Sequence, residues 1–337
     1  MLNIYQKQTL EQHLCMLFEQ GNPNAQMLVP VFRSIANSTK QIYKILQSCS
    51  ANELVGFTGA NNITGDRVRK LDIIADDIIS NEFRNNELIA AVVGEESREI
   101  LTYDGHKDTA KCVVLYDPLD GSMNSDVNLT TGSIFSIVPL INGDSNIPNS
   151  FMQLGNKQLA AVYAIYGVAL KLVFTTGNGV YEFTYNCNED EFYLSRSNIT
   201  IPTKGWQYSC NEANSEQWTN NYKNYLSHIK NSANSHRYIS RYLATVVADV
   251  HRIIFNGGIY IYPATPFNKT GKIRLGYEAN PLAFIIEQAG GRAITENGRI
   301  LEEPFDSIHK RIPFFVGSPD NIDEFIKIVF SDRQASY

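Results

Sequence analysis

The run Val113-Val114-Leu115-Tyr116-Asp117-Pro118-Leu119-Asp120-Gly121-Ser122 decides how this chain is read. Its four leading apolar residues predict a short buried strand that ends on a carboxylate. Asp-Pro-x-Asp-Gly-Ser then sets two acids three positions apart, with Pro118 stiffening the turn so that both can face one point. Gly121 and Ser122 open backbone N–H groups toward an anion, as a strand-to-helix turn often does. Upstream, Leu88-Ile89-Ala90-Ala91-Val92-Val93-Gly94 is a second apolar run, followed by Glu95-Glu96. Strand ends in open α/β sheets are where ligands bind. Carboxylates massed there repel one another unless cations lie between them, and hard oxygen donors of this kind suit Mg²⁺ or Mn²⁺. Singly, Glu-Glu reads as a solvated surface pair and Asp-Pro-x-Asp-Gly as a turn. Their joint occurrence, with Asp72 upstream, is the signal.

Outward from this run, Leu28, Val31, Phe32, Ile35, Ile42 and Leu46 fall close to helical spacing and predict an amphipathic helix reaching about Gln47. Gly56, Gly59, Asn61-Asn62 and Gly65 signal loops. Leu71, Ile74, Ile78 and Ile79 mark one face of a second helix, which sets Asp72 and Asp76 one turn apart on another. Residues 134–140 and 159–169 read as strands, and 173–176 with 180–185 as a hairpin across Gly177-Asn178-Gly179. The apolar pattern weakens over 195–206, around Pro202 and Gly205, which divides the chain into domains 1–196 and 197–337. Beyond that point strands at 207–210, 258–262 and 314–316 alternate with helices over 218–229, 243–254, 281–288 and 320–330. Ser318 and Pro319 suit the N-cap and first position of the last helix. The expectation is a two-domain α/β protein of mixed sheets covered by helices.

Composition narrows the function. At 337 residues the chain exceeds the size at which one hydrophobic core stops growing. Lys and Arg total 29 against 35 Asp and Glu, a net charge of −6 at pH 7. That field disfavours nucleic acid or an anionic membrane as partner, and any anionic substrate must be met by a local cluster of Lys, Arg or metal. The longest apolar stretch, 159–170, is about half a membrane span, and the N-terminus lacks a signal peptide's pattern, so a cytoplasmic protein is expected. Cys15, Cys49, Cys112, Cys187 and Cys210 are odd in number and widely spread, and read as reduced thiols. The six histidines offer neither a Ser-His-Asp order nor metal spacing, and His251 reads as structural. No Gly-x-x-x-x-Gly-Lys loop supports a nucleoside triphosphatase.

The ordered series of motifs resembles the class I fructose-1,6-bisphosphatases, of the metal-dependent, lithium-sensitive phosphatase superfamily, from about Leu10 to Phe330. It is carried by Arg69-Lys70-Leu71-Asp72, Gly94-Glu95-Glu96-Ser97 and the stretch 117–128 in the first half. The second half adds Tyr208-Ser209-Cys210-Asn211-Glu212, Arg241-Tyr242, Ala248-Asp249-Val250-His251-Arg252, 257–263 and 271–281. The resemblance implies a two-domain layered α-β-α-β-α sugar phosphatase fold, with an N-terminal metal- and phosphate-binding domain and a C-terminal substrate-binding domain. It also implies a homotetramer that hydrolyses the 1-phosphate of fructose 1,6-bisphosphate in gluconeogenesis, using two or more Mg²⁺ or Mn²⁺ ions per subunit.

By the same resemblance Glu95, Glu96, Asp117, Asp120, Glu278 and the Leu119 carbonyl are metal ligands. Asp72, with Glu96, orients and deprotonates the attacking water. Asp120, Gly121, Ser122 and Met123 contact substrate, Gly121 and Ser122 by holding the departing phosphate. Asn211, Tyr242 and Tyr262 bind the 6-phosphate, with Arg241 reaching in from a neighbouring subunit. Tyr260 and Ile261 complete the substrate set. Lys272 and Arg274, alternating along a strand, bring positive charge over the site. Asn214 departs from a position often held by a phosphate-contacting Tyr, and Val246 replaces a common Met.

Sedoheptulose 1,7-bisphosphate is the near alternative substrate, since one extra hydroxymethine asks only for a roomier pocket. An inositol monophosphatase would have no use for Asn211, Tyr242 and Tyr262. A catalytically silent sugar-phosphate sensor would be free to lose the ligands, all of which are present. Many relatives are inhibited by AMP through a Thr-Gly-Glu-Leu-Thr stretch, a Lys-Tyr pair and an Arg. Here Ala25-Gln26-Met27-Leu28-Val29, Lys111-Cys112 and Pro139 stand at those places, so insensitivity to AMP is expected.

Overall fold

The computed structural model describes residues 7–48, 56–61, 67–97, 99–141, 147–231 and 238–331. A hairpin of β1 (Phe57–Asn61) and β2 (Arg67–Arg69) precedes the main sheet. That sheet comprises β3 (Ile89–Gly94), β4 (Leu101–Thr102), β5 (Cys112–Asp120), β6 (Thr131–Pro139), β7 (Ala160–Tyr166), β8 (Leu170–Thr175), β9 (Tyr181–Asn186) and β10 (Glu191–Arg196). Its order is β10-β9-β8-β7-β6-β5-β3-β4, and β3–β5 is its parallel pair. A six-stranded sheet orders β12 (Ile239–Ser240), β11 (Gln207–Ser209), β13 (Ile259–Tyr262), β18 (Phe314–Gly317), β15 (Arg292–Thr295) and β16 (Gly298–Arg299). β14 (Ile273–Arg274) pairs with β17 (Arg311–Ile312).

Strand periodicity builds the layers. Along β7, Ala160, Val162 and Ala164 face α1 (Leu10–Glu19), α2 (Pro23–Ser48) and α3 (Lys70–Arg84). Ala161, Tyr163 and Ile165 face the opposite way, toward α7 (Val246–Asn256) and α8 (Asn280–Gln288). Both faces of the strand are covered, which is why it is apolar throughout. Along β13, Tyr260 turns to the same middle layer while Ile259 and Ile261 turn to α6 (Asn220–Lys230) and α9 (Pro319–Val329). Helix α8, between two sheets, is buried from Asn280 to Ile286 without a polar stripe, as a helix enclosed on all sides must be. Two short helices, α4 (Ser122–Ser125) and α5 (Ile147–Phe151), sit in connections. The result is the expected α-β-α-β-α stack.

Several local expectations change. The stretch 159–169 is not one strand: β7 ends at Tyr166, and Leu170 already begins β8. Gly56, at φ 103°, precedes a strand rather than a loop, while Asn62 and Gly65 lie outside the described residues. Ser318 is the N-cap of α9, but its hydroxyl accepts the Gly258 N–H at 3.1 Å instead of capping the helix. Among the described residues Cys15, Cys112, Cys187 and Cys210 are free thiols; Cys49 lies outside them. No described helix is long and apolar enough to cross a membrane.

Candidate active site

The strand of the opening motif does not stop at Asp117. β5 runs through Pro118 and Leu119 to Asp120, and its register against β6 shifts between Asp117 and Asp120. In a regular strand, residues three apart point to opposite faces; the irregularity lets both carboxylates turn to one side. Pro118, with no N–H to offer a ladder, is tolerated at such a break. The turn proper falls on Gly121, whose φ of 72° lies in the left-handed region and whose missing Cβ would meet the Thr245 Cβ at 2.5 Å.

Glu278 joins the two aspartates from the second half of the chain. It sits on a π-helical turn, Leu275–Ala279, immediately before α8. Such turns recur at functional sites because the extra residue re-aims a side chain. Carboxylate oxygens of Asp117, Asp120 and Glu278 lie within 4.8 Å of one another. Glu95 follows β3 beside the end of β5, its N–H donating to the Tyr116 carbonyl at 3.0 Å. Arg274 answers part of this charge: its Nη1 lies 2.7 Å from Glu95 Oε1 and 3.8 Å from Glu278 Oε2. Its N–H donates to Glu278 Oε2 at 2.6 Å.

One guanidinium does not balance four acids. Burial, reinforced by the Glu95 and Asp120 charges, holds the Asp117 carboxyl well above the usual range. Burial pushes Glu278 up to about 8 against the pull of Arg274, and Asp120 up to about 6 against its hydrogen bonds. Clustered hard oxygens held this far from their ionised preference are the donor set that Mg²⁺ or Mn²⁺ satisfies, so the residues fit the implied metals.

Asp120 is aimed from across the molecule. Its Oδ2 accepts the Val247 N–H at 2.8 Å and a short hydrogen bond from the Thr245 hydroxyl. Thr245 is the N-cap of α7 but makes no side-chain cap bond itself, so Asp120 caps the helix in its place. Ala244, just before it, holds φ at 58°, uncommon for a residue with a Cβ. Thr245→Val should weaken Mg²⁺ binding by about 10–100-fold, as loss of groups that orient ligands does. Calorimetric titration of Mg²⁺ into the variant checks this.

Asp72 opens α3, where its Oδ2 accepts the Arg69 N–H at 2.9 Å. Burial lifts it to about 6, opposed by that bond and by one from Ser122. Asp76, one turn on, accepts the Tyr116 hydroxyl at 2.8 Å and serves the core. The Arg69 guanidinium is ion-paired with Asp126 and lies 4.5 Å over the Phe57 ring.

The acids and their neighbours surround one cavity of about 390 Å³. Asp72, Glu95, Glu96, Asp117, Leu119, Asp120, Gly121, Ser122, Met123, Tyr242, Tyr260, Tyr262, Lys272, Arg274 and Glu278 all line it. Three expected residues do not. Asn211 accepts the Ala213 N–H at 3.2 Å, Arg241 is exposed with its guanidinium on the Ser240 carbonyl, and the Ile261 side chain is buried on the other face of β13. Strand alternation alone removes Ile261, since its neighbours Tyr260 and Tyr262 hold the cavity side. Lys272 and Arg274 both line the cavity, but only Ile273 and Arg274 form strand, and Arg274 is committed to carboxylates. Sequence reasoning did not single out Phe57, Arg69 and Ala244 as cavity residues, nor Thr245 behind Asp120. Arg69 opened a quoted motif; Thr245 has a role only once α7 meets β5. His251 is structural, its Nδ1 2.9 Å from the Tyr163 hydroxyl.

Comparison with known proteins bears on the family and the fold. Family models described as "Fructose-1-6-bisphosphatase, N-terminal domain" and "Fructose-1-6-bisphosphatase, C-terminal domain" match residues 9–197 and 201–330. The class 1 fructose-1,6-bisphosphatase of Chlorobium phaeovibrioides is 40% identical over 320 residues, 93% of this chain and 95% of that protein. That of Chlorobium luteolum is 40% identical over 316 residues, 92% and 94% of the two chains. The holo form of the Leishmania major fructose-1,6-bisphosphatase superposes with a TM-score of 0.90 at 33% identity, covering 98% of this chain and all of that one. Its T-state gives 0.84 at 32% identity, with 98% and 100% covered. A match that spans both halves of the chain, at this identity and with this fold, places it in the fructose-1,6-bisphosphatase family of phosphoric monoester hydrolases.

Proposed function

We propose that this chain hydrolyses the 1-phosphate of fructose 1,6-bisphosphate, yielding fructose 6-phosphate and phosphate. The observation that carries the reading is the convergence of Asp117, Asp120 and Glu278 in the cavity that Asp72 also lines. Asp117, Asp120 and Glu278, with Glu95, Glu96 and the Leu119 carbonyl, would hold two or more Mg²⁺ or Mn²⁺ ions, which supply Lewis-acid neutralisation of the phosphoryl oxygens. Asp72 accepts the proton of the attacking water. Gly121 and Ser122 hold the departing phosphate through an N–H and a hydroxyl. Lys272, exposed, and Arg274, buried against Glu95, bring positive charge to the cavity lining. Tyr242 and Tyr262, which line the cavity, bind the second phosphate; Asn211 lies outside that lining. Arg241, exposed on a single chain, suits contribution to a neighbouring subunit of a homotetramer. The proposed division is a metal- and phosphate-binding domain, 1–196, and a substrate-binding domain, 197–337, in a cytoplasmic enzyme of gluconeogenesis. Phosphate release with Mg²⁺ from fructose 1,6-bisphosphate, sedoheptulose 1,7-bisphosphate and inositol 1-phosphate tests it. Fastest release is expected from the first; preference for inositol 1-phosphate would sink the reading.

AMP should leave this activity unchanged at micromolar concentrations. Ala25 and Leu28 are buried apolar side chains of α2, and the Cys112 thiol is buried and pushed up to about 12, so it is neutral. Only Lys111 remains to meet a dianionic phosphate. Each charge-assisted hydrogen bond lost is worth roughly 1.5–3 kcal/mol, and about 1.4 kcal/mol is tenfold in affinity. Half-inhibition at micromolar AMP would refute the expectation.

A further inference from the structure

The motif Ala248-Asp249-Val250-His251-Arg252 belongs to the sequence resemblance, yet none of its residues lines the cavity. It forms the middle of α7. Tyr242, which does line the cavity, lies between the end of β12 at Ser240 and the start of α7 at Val246, in neither strand nor helix. A side chain on such a connection points reliably only if its backbone is fixed. Two α7 side chains fix it from both sides. Asp249 Oδ2 accepts the Leu243 N–H at 3.0 Å, one residue after Tyr242. Arg252 Nη2 donates to the Arg241 carbonyl at 2.8 Å, one residue before it. The two are themselves paired at 3.1 Å, and Arg252 Nη1 also donates to the Gln207 side chain of β11.

This arrangement is costly for a purely structural purpose. Asp249 has no solvent exposure at all. A buried ion pair is often no more stabilising than a well-packed apolar pair of the same volume, so its presence is weak evidence of a purely stabilising role. What the pair achieves is grip on two backbone groups that flank a single side chain. We propose that the Asp249–Arg252 pair is the positioning device for Tyr242, and through it sets the enzyme's preference for a substrate carrying a second phosphate. Neither residue touches substrate; both act through the backbone of residues 241–243. The inference rests on the reading of Tyr242 as a second-phosphate contact.

The test compares KM for fructose 1,6-bisphosphate with KM for fructose 1-phosphate, which lacks the second phosphate. Asp249→Asn and Arg252→Gln should each raise KM for the bisphosphate about tenfold, with KM for fructose 1-phosphate changing less than about twofold. Arg252→Lys keeps the charge but not the planar fork, and should fall between wild type and Arg252→Gln. Circular dichroism and Mg²⁺ titration confirm folding and metal binding in each; if Arg252→Gln does not fold, Arg252→Lys carries the comparison. Equal losses for both substrates, or none for either, overturn the proposal. Tyr242→Phe separates the two levels: if it shifts the KM ratio and the pair variants do not, the positioning role alone fails. If Tyr242→Phe leaves the ratio unchanged, the second-phosphate reading fails and the inference goes with it.

Discussion

Asp72→Asn should lower kcat by about 10²–10⁴-fold, the range for loss of a general base, while KM for the bisphosphate stays within a few-fold. The substitution keeps size and shape, and the amide oxygen can still accept the Arg69 N–H that orients the side chain at 2.9 Å. What it removes is the capacity to take a proton. The wild-type carboxyl, lifted by burial to about 6, is ionised at neutral pH and protonated below it. The rate should therefore fall as pH drops through that value, or through a lower one once cations sit nearby and favour the ionised form. In Asp72→Asn this acid limb should be absent. Stability should move the other way. A carboxyl raised in the fold stabilises it below the unfolded value and loses that contribution as pH rises through the folded one. Removing the charge should thus raise stability at pH 8 by about 1–3 kcal/mol, read from thermal unfolding. A pure KM effect would reassign Asp72 to binding.

Asp117→Asn should cost at least about 100-fold in Mg²⁺-dependent phosphate release, since loss of groups behind a ligand already costs 10–100-fold. The same change should raise the thermal midpoint of the metal-free protein. Asp117 is 1% exposed, and burial together with the Glu95, Asp120 and Glu278 charges disfavours its ionised form. An amide relieves that repulsion and still accepts the Leu119 N–H that the carboxylate holds at 3.0 Å. In the wild type, Mg²⁺ should raise the midpoint more at pH 8 than at pH 6. Asp120 and Glu278, lifted to about 6 and about 8, stabilise the metal-free fold while protonated, and that contribution fades as pH rises through those values. Wild-type levels of activity in Asp117→Asn would remove this residue from the ligand set. So would a Mg²⁺-induced midpoint shift as large as the wild type's.

Much of the site was legible because its chemistry is local in sequence. The apolar runs before Glu95 and Asp117 announced strands whose ends lie side by side, and a parallel β3–β5 pair delivers them together. The apolar pattern reached only mixed sheets covered by helices; the five layers came from the family resemblance. The readings that changed are those in which a short segment has two permitted conformations. The apolar stretch 159–169 is consistent with one strand or with two strands and a turn. Asp117-Pro118-Leu119-Asp120 is consistent with a turn or with a broken strand end, and pairing with β6 selects the second.

The sequence, with the family resemblance its motifs carry, determined the α/β fold, the acid-rich strand ends and the family, and it pointed to many of the residues lining the cavity, though not to Phe57, Arg69 or Ala244. Only the tertiary structure decided how those residues are aimed. The capping of α7 by Asp120 joins segments 127 residues apart. The register break in β5, the π-turn under Glu278 and the Asp249–Arg252 grip on the backbone of Leu243 and Arg241 are nearer in sequence, yet each departs from the regular repeat. Periodicity records which face of an element is buried, because that face is set by the element's own repeat. It carries no record of which distant hydrogen bond will break that repeat, since the partner exists only once the layers have packed.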